Sequence, residues 1–332
     1  MQSGQIRLNK VTQEWVIYAP SRRKRPQDFQ QKSRQKPSLG IKPQDCPFCP
    51  GNEHKSESIV LEMPSRHHKG WQTRVVLNKF PALIPSEDRA RSQKGIYLMI
   101  PGYGQHEVII ESPDHYQDIA TMSIEDVETV IETYHKRYVS LMQVHKNMMA
   151  IIFRNHGMKA GASLSHPHSQ MIVTGMVPQN IRWREQEAQR YYDQWQRCVY
   201  CDILEFERHH GRRVIAENES FLAFVPFAAD VPFEIWIMPK EHEADFGSIS
   251  AIEKAHFALI LQNVLTRLYK KLNDPDYNYV INTAARYKAE EPQVHWYCQI
   301  SPRLTTPAGF ELGSGISINP SLPEIDADFL NS

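Results

Sequence analysis

At 332 residues with 41% hydrophobic side chains, the chain has room for one large or two medium domains. Its 38 basic and 38 acidic residues cancel, which excludes a global field drawing it to nucleic acid or an anionic membrane. No apolar run approaches the roughly 20 residues of a membrane span, and the opening Met1-Gln2-Ser3-Gly4 lacks the apolar core of a signal peptide, so the expected location is the cytoplasm.

In chain order, residues 27–44 are polar with proline and predict a loop, as do residues 86–95. Between them lie Cys46 and Cys49, and the lone pair His67-His68, which predicts solvated side chains. The segment from His106 to His115 predicts a strand that ends in a turn and a histidine. Ser123-x-x-Asp126 then opens a helix whose apolar face is Ile124, Val127, Ile131, Tyr134, Tyr138 and Leu141. An apolar strand over residues 148–153 leads into Asn155-His156-Gly157 and Gly161-Ala162-Ser163, small polar groups that let a backbone approach a phosphate closely. His166-Pro167-His168-Ser169-Gln170 follows, and in an extended segment its two imidazoles and its carboxamide share one face. That arrangement suits a histidine that attacks phosphorus.

The order then repeats. Cys198 and Cys201 open the second copy, and Phe233 to His242 lines up without gaps on His106 to His115. Ser250-x-x-Glu253 predicts a helix buried along Phe257, Ile260, Val264 and Leu268, and residues 277–281 a second inner strand. His295-Trp296-Tyr297-Cys298-Gln299-Ile300 matches His166 to Met171. The offsets agree, with 127 positions from His115 to His242 and 129 from His166 to His295. The chain is therefore two copies of one α+β unit, divided as residues 1–178 and 179–332.

Of the five cysteines, four form Cys-x-x-Cys pairs, which in a reducing compartment means metal or redox chemistry rather than disulfides. Redox chemistry needs each pair to open a helix, and neither Pro47-Phe48 nor Val199-Tyr200 predicts one. Zinc fits better, since each copy also supplies a strand-end histidine and a second histidine.

Several motifs in fixed order carry a resemblance. They are Trp15-Val16-Ile17-Tyr18-Ala19-Pro20 followed by Arg22 and Arg25, Cys46-Pro47-Phe48-Cys49-Pro50-Gly51-Asn52-Glu53, Asn78-Lys79-Phe80-Pro81-Ala82, Ser112-Pro113-Asp114-His115, His-x-His-x-Gln, and Gly309-Phe310-Glu311-Leu312. From about Ile6 onward the chain resembles the galactose-1-phosphate uridylyltransferase family, a nucleotidylyltransferase branch of the histidine-triad superfamily. The resemblance implies an α+β fold of tandem duplicated histidine-triad-like units, each an antiparallel sheet with flanking helices. Residues 1–178 would be the catalytic domain, and 179–332 a second domain with a sugar-binding tail.

By the same resemblance His168 is the nucleophile. It would attack the α-phosphorus of a nucleotide sugar, expel the sugar 1-phosphate and hold the nucleoside monophosphate covalently, with ping-pong kinetics. The other ring nitrogen must then donate to a fixed acceptor, implied to be the His166 carbonyl. Gln170, where histidine-triad hydrolases carry a histidine, can bond phosphoryl oxygens but cannot act as a general acid, which favours transfer over hydrolysis. Arg22, Arg25, Asn78, Asn155 and Ser163 match substrate-binding positions; taken alone, Arg22-Arg23-Lys24-Arg25 fits a solvated loop or nucleic-acid patch better.

The implied cofactor is zinc in two closed structural sites: Cys46, Cys49, His115 and His166 in one, Cys198, Cys201, His242 and His295 in the other. The second set departs from well-known bacterial members, which use a glutamate with histidines, and resembles an ADP-glucose phosphorylase-like branch. Tyr297 replaces the nucleophile in the second copy, and with an ordinary phenol pKa near 10 it predicts a second half without chemistry of its own. Phe310 and Glu311 match positions that hold hexose hydroxyls, with packing an equal alternative for Phe310. His156 lies where it could touch substrate, and Cys298 predicts a packing residue. A homodimer is implied, with this tail reaching the partner's active site. The expected activity is uridylyl transfer between UDP-glucose and galactose 1-phosphate; adenylyl transfer from ADP-glucose to phosphate is the alternative, ahead of a nucleotide hydrolase or a non-catalytic zinc module.

Overall fold

A computed structural model describes residues 4–20, 29, 42–86, 88–146 and 148–332. Two short strands, β1 (Gln5–Leu8) and β2 (Trp15–Tyr18), form a small sheet with the late β15 (Ser317–Asn319), which runs parallel to β2 and ties the two ends of the chain together. The first half then supplies β3 (Ile59–Pro64), β4 (Trp71–Leu77), a small hairpin of β5 (Ser92–Lys94) and β6 (Tyr97–Met99), β7 (Gly104–Ile110), helix α1 (Ile124–Val144), β8 (Met149–His156) and β9 (His168–Thr174). The second half supplies α2 (Gln179–Trp195), α3 (Val199–His210), β10 (Val214–Glu217), β11 (Phe221–Phe224), β12 (Ile235–Pro239), α4 (Ala251–Leu272), β13 (Tyr277–Asn282), β14 (Tyr297–Pro302), α5 (Gly309–Ser314) and α6 (Pro323–Asn331).

Ten of these strands make one antiparallel sheet in the order β10-β11-β12-β14-β13-β8-β9-β7-β4-β3. The two copies join edge to edge where β8 pairs with β13, Arg154 opposite Tyr279 and Ile152 opposite Ile281. Each copy's free edge thus becomes the other's neighbour, which removes two exposed ladders from the middle of the molecule. The sequence reading of two α+β units holds, with the two sheets fused into one.

Helices α1 and α4 start where serine supplies a cap. Ser123 Oγ accepts from Asp126 N–H at 3.2 Å. Ser250 and Glu253 exchange both bonds of a capping box, at 3.2 and 2.8 Å, each cap worth about 1 kcal/mol. Val127, Ile131, Tyr134, Tyr138 and Leu141 on α1, and Phe257, Ile260, Val264 and Leu268 on α4, are buried as their spacing predicts. The two helices pack on each other and on one face of the sheet, so a single core runs under both halves, from Val75 and Ile109 through Ile152 and Tyr279 to Ile300.

Three expectations require correction. Residues 86–95 are not all loop, because Ser92–Lys94 pairs with Tyr97–Met99 across a tight turn in which Gly95 takes a positive φ of 60°. Cys198-x-x-Cys201 does open a helix: Cys198 is the N-cap of α3, Val199, Tyr200, Leu204 and Glu207 are its buried face, and Gly211 ends it in the left-handed conformation. The ungapped match of His106 to His115 on Phe233 to His242 is offset by one within the strand. Val108 stands opposite Gln170, and Trp236 opposite Gln299. His106 therefore corresponds to Glu234, and the missing residue falls in the turn before His242. Most of residues 27–44, and the basic run Arg22-Arg23-Lys24-Arg25 before them, lie outside the described residues.

Candidate active site and metal centres

Strand β9 sets the site. Its alternation puts His168 and Gln170 on one face and Ser169 and Met171 on the other, toward the core. On the core side Ser169 Oγ donates to Glu111, and Tyr134 Oη bonds Ser169 and also donates to Glu111 Oε1 at 2.9 Å. Arg154 on β8 closes this network with 2.9 Å to Glu111 Oε2, 2.7 Å to Asp118 Oδ2 and 2.6 Å to Tyr277 Oη. The strand carrying His168 is thereby clamped from below by buried, charge-assisted bonds.

Above it, His168 Nδ1 donates to the carbonyl oxygen of His166 at 2.8 Å. This fixes the tautomer and leaves the Nε2 lone pair free. Burial is the main influence on the ring and pushes its pKa below the usual histidine value, against the bond to His166 and the charge of Glu111. The imidazole is neutral near pH 7, which a nucleophile requires. Phe48 flanks it with ring centroids 5.3 Å apart.

The His166 ring is directed at the first thiol pair. Its Nε2 donates to the Ser112 carbonyl at 2.7 Å, so Nδ1 is turned toward the sulfurs of Cys46 and Cys49 at 3.7 and 3.5 Å. The two thiols sit on a turn closed by Cys49 N–H to the Cys46 carbonyl, with Asn52 Nδ2 on the same oxygen at 2.8 Å. His115 follows a turn in which Ser112 Oγ accepts from Asp114 N–H, and its Nδ1 lies 3.3 Å from Cys49 Sγ. In the second half, His242 Nδ1 and His295 Nδ1 lie 3.2 and 3.5 Å from Cys201 Sγ, and His295 Nε2 donates to the Pro239 carbonyl at 3.1 Å. Each set of four donor atoms, with Cys198 completing the second, falls within 4.8 Å. Two thiols and two imidazoles, with each inner histidine oriented by a backbone carbonyl, are the donors of a closed tetrahedral site, and both clusters could hold a metal ion.

The remaining residues singled out from the sequence separate into groups. Arg22 and Arg25 lie outside the described residues. Asn155 leaves β8 with Oδ1 accepting from Asn278 Nδ2 at 2.7 Å, and Ser163 is exposed on the following loop. That loop needs its first glycine: Gly157 has φ 85°, and a Cβ there would lie 2.1 Å from an Asp276 carboxylate oxygen. Asn78 and Gln170 come together, Asn78 Nδ2 lying 3.5 Å from Gln170 Oε1. Phe310 and Glu311 sit on α5, with Phe310 50% exposed and Glu311 bonded to Ala308 N–H. Neither is hydrogen-bonded to the His168 segment within the chain.

His156 is engaged within the chain. Its ring stacks on Tyr277 at 4.8 Å and bonds Asp118 and Asp274 at 3.2 and 2.7 Å. Tyr297 stands in the second copy where His168 stands in the first, its hydroxyl accepting from Arg184 at 2.8 Å; burial raises its pKa rather than leaving it ordinary, which makes the phenol a poor nucleophile. Cys298 is fully buried in the core, as a packing residue should be.

Sequence reasoning missed Glu111, Arg154 and His106. The first two are charged residues closing the apolar runs Val108-Ile109-Ile110 and Ile151-Ile152-Phe153, and a charge in such a place signals a buried partner. His106 Nε2 lies 2.8 Å from Gln170 Oε1, a contact across strands that no local spacing announces.

Comparison with known proteins gives a consistent result. The N-terminal domain of the galactose-1-phosphate uridyl transferase family matches residues 1–195, and its C-terminal domain matches residues 184–308. An ADP-glucose phosphorylase of Arabidopsis thaliana is 37% identical over 97% of this chain and 91% of its own length. A galactose-1-phosphate uridylyltransferase of Thermotoga maritima is 29% identical over 96% and 95%. The crystal structure of an Arabidopsis thaliana ADP-glucose phosphorylase with bound ADP-glucose superposes with a TM-score of 0.83 at 32% identity, covering 99% of both chains.

Proposed function

This chain belongs to the galactose-1-phosphate uridyl transferase family, and on that premise we propose that it is a ping-pong nucleotidyltransferase acting through His168, with ADP-glucose as donor and phosphate as acceptor. The observation that carries the reading is the 2.8 Å bond from His168 Nδ1 to the His166 carbonyl, which bares Nε2. In the first step Nε2 attacks the α-phosphorus, the bond from that phosphorus to the bridging oxygen breaks, and glucose 1-phosphate leaves with the electron pair. AMP remains on His168 as a phosphoramidate. In the second step a phosphate oxygen attacks, the N–P bond breaks, and ADP leaves with the imidazole restored. Both leaving groups are stable anions or a neutral ring, so no general acid is needed and the neutral amide of Gln170 suffices.

Zinc in both clusters is part of this proposal. When bound it would supply no redox or Lewis-acid step here, only fixed geometry: a held His166 ring holds the carbonyl that orients His168. Arg22, Arg25, Asn155 and Ser163 would bind the phosphates, and Phe310 and Glu311 would reach a partner's site in a homodimer, an assignment suited to the exposure of α5.

Sequence reasoning placed uridylyl transfer first. We favour the adenylyl donor because the Arabidopsis phosphorylase is the more similar of the two relatives, and the second Cys-x-x-Cys agrees with that branch. Uridylyl transfer to galactose 1-phosphate is the second reading, supported by the Thermotoga relative. Separate incubations with ADP-glucose and UDP-glucose labelled at the α-phosphate discriminate. The true donor leaves acid-labile, base-stable label on the protein, and phosphate, glucose 1-phosphate or galactose 1-phosphate then discharges it. Release of free nucleoside monophosphate without any acceptor would instead indicate a hydrolase.

A further inference from the structure

The catalytic amide of Gln170 is useful only in one of its two orientations. A phosphoryl oxygen must be met by the NH2 end, because the carbonyl end would repel it. Rotation about the last side-chain bond exchanges the two ends within nearly the same volume, so some neighbour has to choose.

His106 is placed to do so. The backbone N–H of Ala82 donates to His106 Nδ1 at 3.2 Å, which makes that nitrogen the acceptor and puts the ring proton on Nε2. His106 Nε2 then donates to Gln170 Oε1 at 2.8 Å. Asn78 has its own Oδ1 committed to Phe80 N–H at 2.8 Å, and its Nδ2 lies between the two partners, 3.1 Å from His106 Nε2 and 3.5 Å from the same Gln170 oxygen. Both donors face the carbonyl end, and the NH2 end is left for the face that Gln170 shares with His168.

The second half of the molecule provides an internal control. Strand register puts Glu234 where His106 stands and Gln299 where Gln170 stands. Glu234 is an acceptor: Trp236 Nε1 donates to its Oε1 at 2.8 Å, and Gln299 Nε2 donates to the same oxygen at 2.9 Å. The Gln299 amide is therefore held the opposite way round, in the copy where Tyr297 replaces the nucleophile. We infer that His106 is a positioning residue that sets the orientation of the Gln170 amide, so that its NH2 end meets the phosphoryl group transferred to His168. The inference rests on the nucleotidyl-transfer reading.

The test uses His106→Gln and His106→Glu, assayed above pH 8 because burial raises the pKa of the carboxyl at the matching Glu234 to about 8; the two side chains have the same shape, and the ionised glutamate cannot donate to Gln170. The rate of single-turnover labelling from α-labelled ADP-glucose is measured for each, alone and combined with Gln170→Ala, with melting temperature and metal content as checks on folding. His106→Gln should stay within about threefold of wild type, and His106→Glu should be slower by a further tenfold or more, as expected for losing one hydrogen bond to a charged group. With Gln170→Ala the gap between the two should shrink to about threefold or less. A gap of equal size with and without Gln170 overturns the inference while leaving the nucleotidyl reading intact. A wild-type protein that takes no label from either nucleotide sugar overturns both.

Discussion

Removing the Arg154 guanidinium should be the most damaging single change away from the reacting atoms. Arg154 is 2% exposed, Glu111 is fully buried, and their closest approach is 2.9 Å, with Asp118 at 2.7 Å on the other side. Arg154→Met keeps much of the volume but leaves Glu111 with only the hydroxyls of Ser169 and Tyr134, and strips Asp118 of its strongest counter-charge. Breaking one partner of such a buried pair costs about 3–5 kcal/mol. For a chain of this size that corresponds to a fall in melting temperature of roughly 4–7 °C. Scanning calorimetry measures it, and single-turnover labelling should slow in parallel because Ser169, next to His168, hangs on the same carboxylate. Adding Glu111→Gln should recover part of the loss, since the uncompensated charge is then gone. A single variant melting within about 2 °C of wild type, or a double variant that loses the full sum of both single changes, would refute the reasoning.

Two further outcomes follow from the same structure. Metal analysis should find two zinc ions per chain; Cys46→Ser should retain one and label His168 at least about tenfold more slowly, because the His166 carbonyl is no longer fixed, whereas Cys198→Ser should lose one ion with a smaller effect on labelling. His156 is opposed by burial, yet the Asp118 and Asp274 carboxylates outweigh it and raise its pKa despite the nearby Arg154. Its stabilisation is therefore complete below the ordinary histidine value and is lost as pH rises through the raised one. The melting-temperature gap between wild type and His156→Gln should be widest near pH 6 and narrow toward pH 9; a constant or widening gap would contradict this.

What was legible in the sequence is what short spacing controls. The serine caps of α1 and α4, their buried stripes, and the face shared by His168 and Gln170 all follow from periods of 3.6 or 2. Helix α2 escaped because only Glu187 and Ala188 are buried along it, leaving no periodic stripe to see. Helix α3 escaped because its start coincides with the thiol pair, so the residues were weighed as ligands and not as a cap. The edge pairing of β8 with β13, and the bonds from Arg154 to Glu111 and from His106 to Gln170, join residues 43 to 64 positions apart or more, and no local pattern encodes them. The one-residue gap before His242 hid the correspondence of His106 with Glu234, the comparison that gives the Gln170 amide its meaning.

The central claim is that the Nε2 of His168 forms a covalent bond to a nucleotide during turnover. Peptide mapping of protein quenched after mixing with α-labelled ADP-glucose tests it directly. The account predicts acid-labile label on the peptide holding His168, discharged by phosphate as ADP, and no label in His168→Asn. Label on another residue, or undiminished label in His168→Asn, would contradict it.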